Sequence, residues 1–444
     1  MLYPHPGPVP DAWFVALSRA PDHTRGIRRM PLASDHRYTV ISSDCHGGGN
    51  IADYRPYLES AYHDEFDAWI ADYQNPYDDV KGADADRNWD SDRRLAEMQA
   101  DGIVAEVVFP NTIPPFFPKV SLVNQPPGAG AGDLDKRMAG IRAHNRWLAD
   151  FCAATPGQRA GIAQIMLHDV DAAVAEIEWA ADNGLTGGVL LPGAPPGSGV
   201  PPLYAPDYEP IWSTCAERNL PITHHSGSAA PDMGPYPEAN VIFLLEVTWW
   251  AHRTLWHLIM AGVMERYPTL QFVFTEQGSA WVPEELTRLD YYHGRMSKAT
   301  GSQEAAFGGD VMKRLSLKPS EYFARQCHLG SSFIRQHEVA MRDAIGVDRI
   351  MWGSDFPHLE GCWPYSKEHL RLAFAGVDPD DVAAMVGENA AEVYGLDLDV
   401  LAPLAAKHGP TVAEVDTPLA IEDIPAEALR CPAFAAAKMF ANQS

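Results

Sequence analysis

Four short stretches of this 444-residue chain set metal-binding side chains beside turn-forming residues. They are SDCHGGG with Asp44 and His46, THHSG with His224 and His225, FTEQG with Glu276 and Gln277, and GSDFPH with Asp355 and His358. Each follows an apolar, β-rich run. Side chains two apart on a strand share a face, so Asp44 and His46 form a carboxylate–imidazole pair suited to a divalent cation. Alternation sends His224 and His225 to opposite sides, so at most one of them joins that pair. The same holds for Glu276 and Gln277. Asp355, at the end of an apolar run, needs a partner or a metal if it is buried. Singly, each residue reads as well as a helix cap or a loop side chain. Together they put Asp, His, His, Glu and Asp at the same ends of four strands, which a purely structural scaffold has little reason to do.

The elements that must position them alternate along the chain. β-rich runs fall at 38–44, 104–110, 161–167, 187–191, 220–225, 270–276, 327–333 and 349–355, with helical patterns between them. Several runs are almost continuously hydrophobic, as strands buried on both faces are. Asp169 stands at the N-cap of DVDAAVAEIEWAADNG, and Gly184 at the position past its end. Eight such units predict a (β/α)8 barrel with its chemistry at the C-terminal ends of the strands, an open doubly wound sheet being the alternative. Residues 1–37 read as an irregular arm, 38–396 as the barrel and 397–444 as a C-terminal extension. The connections after the first and second runs carry insertions at 47–100 and 111–135, expected to act as lids or pocket walls. Phe116 and Phe117 in the second insertion, Trp249 and Trp250 after the fifth run, and His358 after the eighth are candidates to line an apolar substrate pocket. Arg253 is a candidate clamp for a substrate carboxylate, and His168 a capping or surface residue.

Composition narrows the partners. The chain carries 34 Lys and Arg against 59 Asp and Glu, a net charge of −25, which argues against nucleic acid and anionic membranes. The six cysteines form no CxxC pair and read as reduced thiols of a cytoplasmic protein. No signal peptide or membrane span is expected.

The stretches SDCH, GLTGGVLLP, LPITHHSG, ERYPTLQFVFTEQGSAW and RIMWGSDFPH resemble the amidohydrolase superfamily. The likeness is to the branch typified by aminocarboxymuconate semialdehyde decarboxylase. The resemblance implies a metal-bearing barrel with Asp44, His46, His225 and Asp355 as ligands. His225 is favoured over His224 because the family histidine lies four residues after a proline, here Pro221. The family's sixth-strand histidine is replaced by Glu276, which could act as a base or ligate a second ion. Zinc is the default metal, with iron or manganese also suited to a mixed oxygen and nitrogen set, as one ion or two. The preferred expectation is a hydrolase: metal-activated water attacks an amide, ester or thioester of a largely apolar small molecule, with Glu276 and Asp355 as catalytic groups. Alternatives are non-oxidative decarboxylation or hydration of a carboxylated aromatic or unsaturated compound, and an inactive barrel that only binds. A homodimer or higher homo-oligomer is the expected assembly.

Overall fold

A computed structural model describes residues 32–73, 81–111, 114–117, 131–298 and 303–441. Its centre is an eight-stranded parallel sheet in sequential order, rolled into a nearly closed (β/α)8 barrel. The strands are β1 (Ile41–Gly47), β2 (Ala105–Pro110), β3 (Arg159–Gln164), β4 (Gly188–Leu190), β5 (Ile222–His225), β6 (Phe272–Thr275), β7 (Cys327–Ser332) and β8 (Ile350–Gly353). All eight lie on the expected apolar runs. β1 starts and ends three residues later than its run, so Asp44 and His46 fall within the strand, beside a register shift between Ser42 and Cys45.

Inward side chains fill the lumen. Ile41, Val107, Phe109, Ile162, Val273 and Met351 pack there with Ala390 and Tyr394, as expected of a barrel whose interior is a packed core. Outward side chains meet the helix layer in a larger core that includes Trp212, Trp352, Phe272 and Phe274. One outward polar group is Glu106 of β2, fully buried between Arg94 and Arg159 at 2.5 and 2.9 Å. Each charge there has a partner, which such burial requires.

The helix Val170–Asp182 starts at Asp169, whose side chain accepts from the Ala172 amide, and Gly184 follows its end at φ +80°. Beyond the barrel, the C-terminal extension packs onto the chain's own body. Backbone bonds join Val412 to His36 and Ala413 to Ser34, and Phe434 is buried against His369.

β1 and β8 close the barrel at its C-terminal end. The Asp355 amide donates to the Asp44 carbonyl at 2.8 Å and the His46 amide to the Phe356 carbonyl at 2.6 Å. Gly353 permits the approach: a Cβ there would stand 2.7 Å from the Asp44 Cβ.

Candidate metal centre

The four expected ligands converge where the barrel closes. Single ligand atoms of Asp44, His46 and His225 lie within 4.8 Å of one another, as do those of His46, Asp355 and His358. His46 Nε2 is 3.3 Å from both Asp44 Oδ1 and Asp355 Oδ1, and His225 Nε2 is 3.6 Å from Asp44 Oδ1. The other ring nitrogens are oriented by carbonyl oxygens: His46 Nδ1 lies 3.3 Å from Pro110 O and His225 Nδ1 3.0 Å from Ser226 O. That arrangement turns both Nε2 lone pairs toward the centre. Asp44 Oδ1, His46 Nε2, His225 Nε2 and both Asp355 oxygens are buried without a hydrogen-bond partner. Buried polar atoms are seldom left so, and five converging on one space fit a cation. Two carboxylates with two imidazoles suit a divalent transition metal.

The charges of the site agree. Burial opposes ionisation of Asp44, but the His225 and His46 imidazoles beside it hold its carboxyl well below the usual range. Burial works against the charged form of His225, yet Asp44 and Glu276 push it up to about 9. Burial and repulsion from Asp355 and Asp44 raise Glu276, against the pull of His225. The space among these carboxylates therefore favours positive charge, as a proton or a metal ion.

Strand alternation holds at β5. His224 is buried on the outer side with Nδ1 3.0 Å from Leu191 O, and His225 faces the lumen. At the end of β6, Glu276 reaches the site, its Oε2 3.5 Å from His225 Nε2 and 2.8 Å from the Ser226 hydroxyl, while the Gln277 amide donates to His224 O. Glu276 and Asp355 both adopt left-handed backbone, at φ +54° and +60°, a strained conformation typical of functional sites. His358 stacks on His46 with ring centroids 3.9 Å apart, its Nδ1 2.8 Å from Asp355 Oδ1 and its Nε2 3.1 Å from Asn111 Oδ1.

Several neighbours escaped sequence reasoning. Ser332 of β7 donates to Asp44 Oδ2, and Phe109 of β2 sets its ring against His225 at 4.9 Å. Glu360, in the loop after β8, has a ligand atom within 4.8 Å of those of Glu276 and Asp355. Only the inward position of Phe109, one before the end of β2, could have been inferred, from alternation.

The proposed wall residues are dispersed. Phe116 packs among Tyr62, Phe66 and Trp69 of the first insertion. Phe117 is buried with Met138, Ile141 and Met166, under the Arg137 guanidinium. Trp249 and Trp250 meet edge to face on the helix Ala239–Met260, with Arg253 lying over Trp250 at 4.7 Å. Trp249 is 52% exposed there, and Leu244 and Leu245 nearby are 75% and 73% exposed. Much of the second insertion, 112–113 and 118–130, lies outside the described residues. Among the described residues, no helix is long and apolar enough to cross a membrane.

Comparison with known proteins corrects the expected reaction. Gamma-resorcylate decarboxylase of Rhizobium radiobacter is 26% identical over 277 residues, covering 60% of this chain and 76% of that protein. The enzyme of the same name from Rhodococcus jostii is 25% identical over 292 residues, covering 62% and 82%. A solved structure of 5-carboxyvanillate decarboxylase from Novosphingobium aromaticivorans holds manganese and a nitrobenzoic acid. It superposes with a TM-score of 0.61 at 20% identity, over 82% of this chain and all of that one. These relatives are lyases, so the hydrolase expectation, with its amide, ester or thioester substrate, is overturned. The physical reason is that such a ligand set can orient a carboxylate as readily as it activates water, so Glu276 in place of histidine did not decide between them. Manganese in a relative likewise removes the ground for zinc as the default. The family model described as amidohydrolase matches residues 56–396. The chain belongs to the amidohydrolase superfamily, in its amidohydrolase-2 branch.

Proposed function

We propose that this protein is a metal-dependent, non-oxidative decarboxylase of a small carboxylated aromatic compound, in the class of the hydroxybenzoates named for its relatives. The observation that carries the reading is the convergence of Asp44, His46, His225 and Asp355, with unpartnered buried atoms, in a chain related to decarboxylases. When bound, a divalent ion such as manganese supplies positive charge that orients the substrate carboxylate and neighbouring oxygen.

In the reaction the bond from ring carbon to carboxylate carbon breaks, its electron pair stays on the ring, and carbon dioxide leaves. A proton must then reach that ring carbon. His358 and Asp355 form the imidazole–carboxylate pair at hydrogen-bond distance in the site, and we assign the proton to it. Stacking on His46 and the contact from Asn111 fix the His358 ring, which sets the proton's position before reaction. Phe109 supplies an apolar surface beside the histidines.

The test is to load the protein with manganese, offer a panel of hydroxylated benzoates in D2O, and measure carbon dioxide and deuterium at the vacated ring position. Stoichiometric release with one deuterium per product supports the reading. No release from any hydroxybenzoate, with metal demonstrably bound, overturns it.

A homo-oligomer belongs to the same proposal. Val241, Leu244, Leu245 and Trp249 stand exposed along the first half of the helix Ala239–Met260, next to Tyr236. Together they expose on the order of 700 Å², near the roughly 800 Å² that each partner buries in a standard interface. The strongly negative chain disfavours an anionic membrane as the cover, so a second copy is the occupant we assign. A cytoplasmic location completes the proposal, supported by six free, buried cysteines.

A further inference from the structure

We infer that Gln164, the last residue of β3, selects the substrate by donating a hydrogen bond to a hydroxyl group on its ring. The inference deepens the decarboxylase reading above and rests on it.

Strand alternation places the side chain. On β3, Arg159 points outward to Glu106, and Gly161 faces the helix layer, where a Cβ would meet Cys152, Leu185 and Leu148. Ala163 packs outward as well. Ala160 and Ile162 point into the lumen, and Gln164 follows them. In such a barrel the inward side chains of alternate strands form layers. The last inward residues of β1, β3, β5 and β7 are His46, Gln164, His225 and Ser332. His46 and His225 are ligand candidates, and Ser332 holds Asp44. Gln164 completes the layer, and neither the metal centre nor the proton transfer uses it.

Two observations point to a ligand rather than to the fold. Gln164 is 2% exposed, and its Nε2 is buried with no hydrogen-bond partner among the described residues. Buried amide donors are seldom left so. The backbone, meanwhile, is fixed without help from the side chain. Asn145, on the helix Ala131–Ala153, accepts from the Gln164 amide at 2.9 Å and donates to its carbonyl at 2.9 Å. Asn145 is itself tied to Glu176 at 2.8 Å. This bracket holds the Gln164 Cα at a set place in the layer, the rigidity that a recognition group needs.

The surroundings define the chemistry. The flanking strands β2 and β4 bring Phe109 and Leu190 inward. The Gln164 amide is therefore a polar group on an apolar wall, a pattern that orients a ligand. Asp44, Asp355 and Glu276 already crowd the mouth of a strongly acidic chain, which disfavours a second carboxylate on the substrate. A hydroxyl oxygen accepts from Nε2 and adds no charge. The oxygen beside the substrate carboxylate goes with it to the ion, so the hydroxyl that Gln164 reads is one farther round the ring. The class is a monocarboxylated arene with a hydroxyl meta or para to the carboxylate.

The experiment uses the full chain loaded with manganese. Calorimetry gives Kd for benzoate, 3-hydroxybenzoate and 4-hydroxybenzoate, and melting temperatures are recorded in parallel. Wild type should bind one of the hydroxylated acids about tenfold or more tightly than benzoate, the scale of one hydrogen bond. Gln164→Leu should erase that preference and leave benzoate binding within about twofold. It should melt no lower than wild type, because it removes a buried amide nitrogen that has no partner. Gln164→Glu keeps the shape, offers no donor, and should lose the preference too. A preference that survives in both variants overturns the inference, as does equal binding of all three acids by wild type. A Gln164→Leu melting temperature several degrees below wild type also overturns it, since the side chain would then serve the fold. If none of the three acids binds with manganese in place, this inference and the decarboxylase reading fall together. Binding that depends on Gln164, without release of carbon dioxide in turnover, upholds the inference and overturns the reaction alone.

Discussion

Ser332 donates its hydroxyl hydrogen to Oδ2 of Asp44, leaving Oδ1 of the same carboxylate turned toward His46 and His225. The bond fixes the rotation of the carboxyl group and which oxygen it offers to the proposed metal centre. Ser332→Ala should therefore weaken manganese binding about 10- to 100-fold, the usual effect of losing a group that orients a ligand. Its melting temperature should stay within a degree or two of wild type, since Ser332 is only partly buried. An unchanged manganese Kd in a chelator-competition titration would remove Ser332 from this role.

The adjacent histidines of β5 should separate cleanly. His225→Ala deletes an Nε2 aimed at the centre, so metal content should collapse while the fold persists. His224→Ala empties a buried place beside Leu191 O and should cost about 1–3 kcal/mol of stability, with metal content kept. Elemental analysis and denaturant unfolding of the two variants decide it. The opposite pattern would mean that the register of β5 is off by one residue.

Asp101, at the end of the helix Ser91–Ala100, gives the protein a pH dependence unrelated to the metal centre. Burial pushes its carboxyl up to about 7, against the lowering effect of the Ser366 hydrogen bonds. Because the folded value lies above the unfolded one, its contribution is fully present below about pH 4 and is lost as pH rises toward 7. Asp101→Asn keeps an acceptor for the Ser366 amide and cannot ionise. Relative to wild type, its unfolding free energy should improve by roughly 2–3 kcal/mol between pH 5 and pH 8. A constant difference between the two proteins across that range would contradict the burial argument.

The exposed helix face makes a hydrodynamic prediction. Leu244→Glu with Leu245→Glu should shift the sedimenting species to the mass of a single chain and leave the circular dichroism spectrum unchanged. If wild type already sediments as one chain, the assigned contact between copies is wrong.

The barrel was legible because its strands are short apolar runs with helical patterns between them, and hydrophobic periodicity is a local property. The site was legible where alternation decides orientation, as at His224 and His225, or at Glu276 and Gln277. It was illegible where contacts span the fold. Nothing in the sequence ties Ser332 to Asp44, 288 positions away, or brings Glu360 from a surface loop to Glu276. The setting of Trp249 and Trp250 was illegible for a physical reason. An aromatic pair reads alike whether it lines a pocket or coats a helix, and here Trp249 lies largely in solvent. The reaction was misjudged because ligand types report what charge a site holds and are silent on which bond breaks.

The seam between β1 and β8 has a consequence for how the protein comes into being. Asp44 and Asp355 touch through their backbones, yet 311 residues separate them along the chain. At a synthesis rate of about 5–20 residues per second, roughly 15–60 s pass between the emergence of the first and of the second. For that whole interval the ribosome carries a chain with Asp44 and His46 but without the strand that completes their surroundings. No translation intermediate ending before β8 can hold the full ligand set, and a product truncated there lacks the barrel's closure and its centre together. On the proposed function, loading with metal is therefore an event of the finished polypeptide, and the last strand to be made decides whether the first one becomes part of a catalyst.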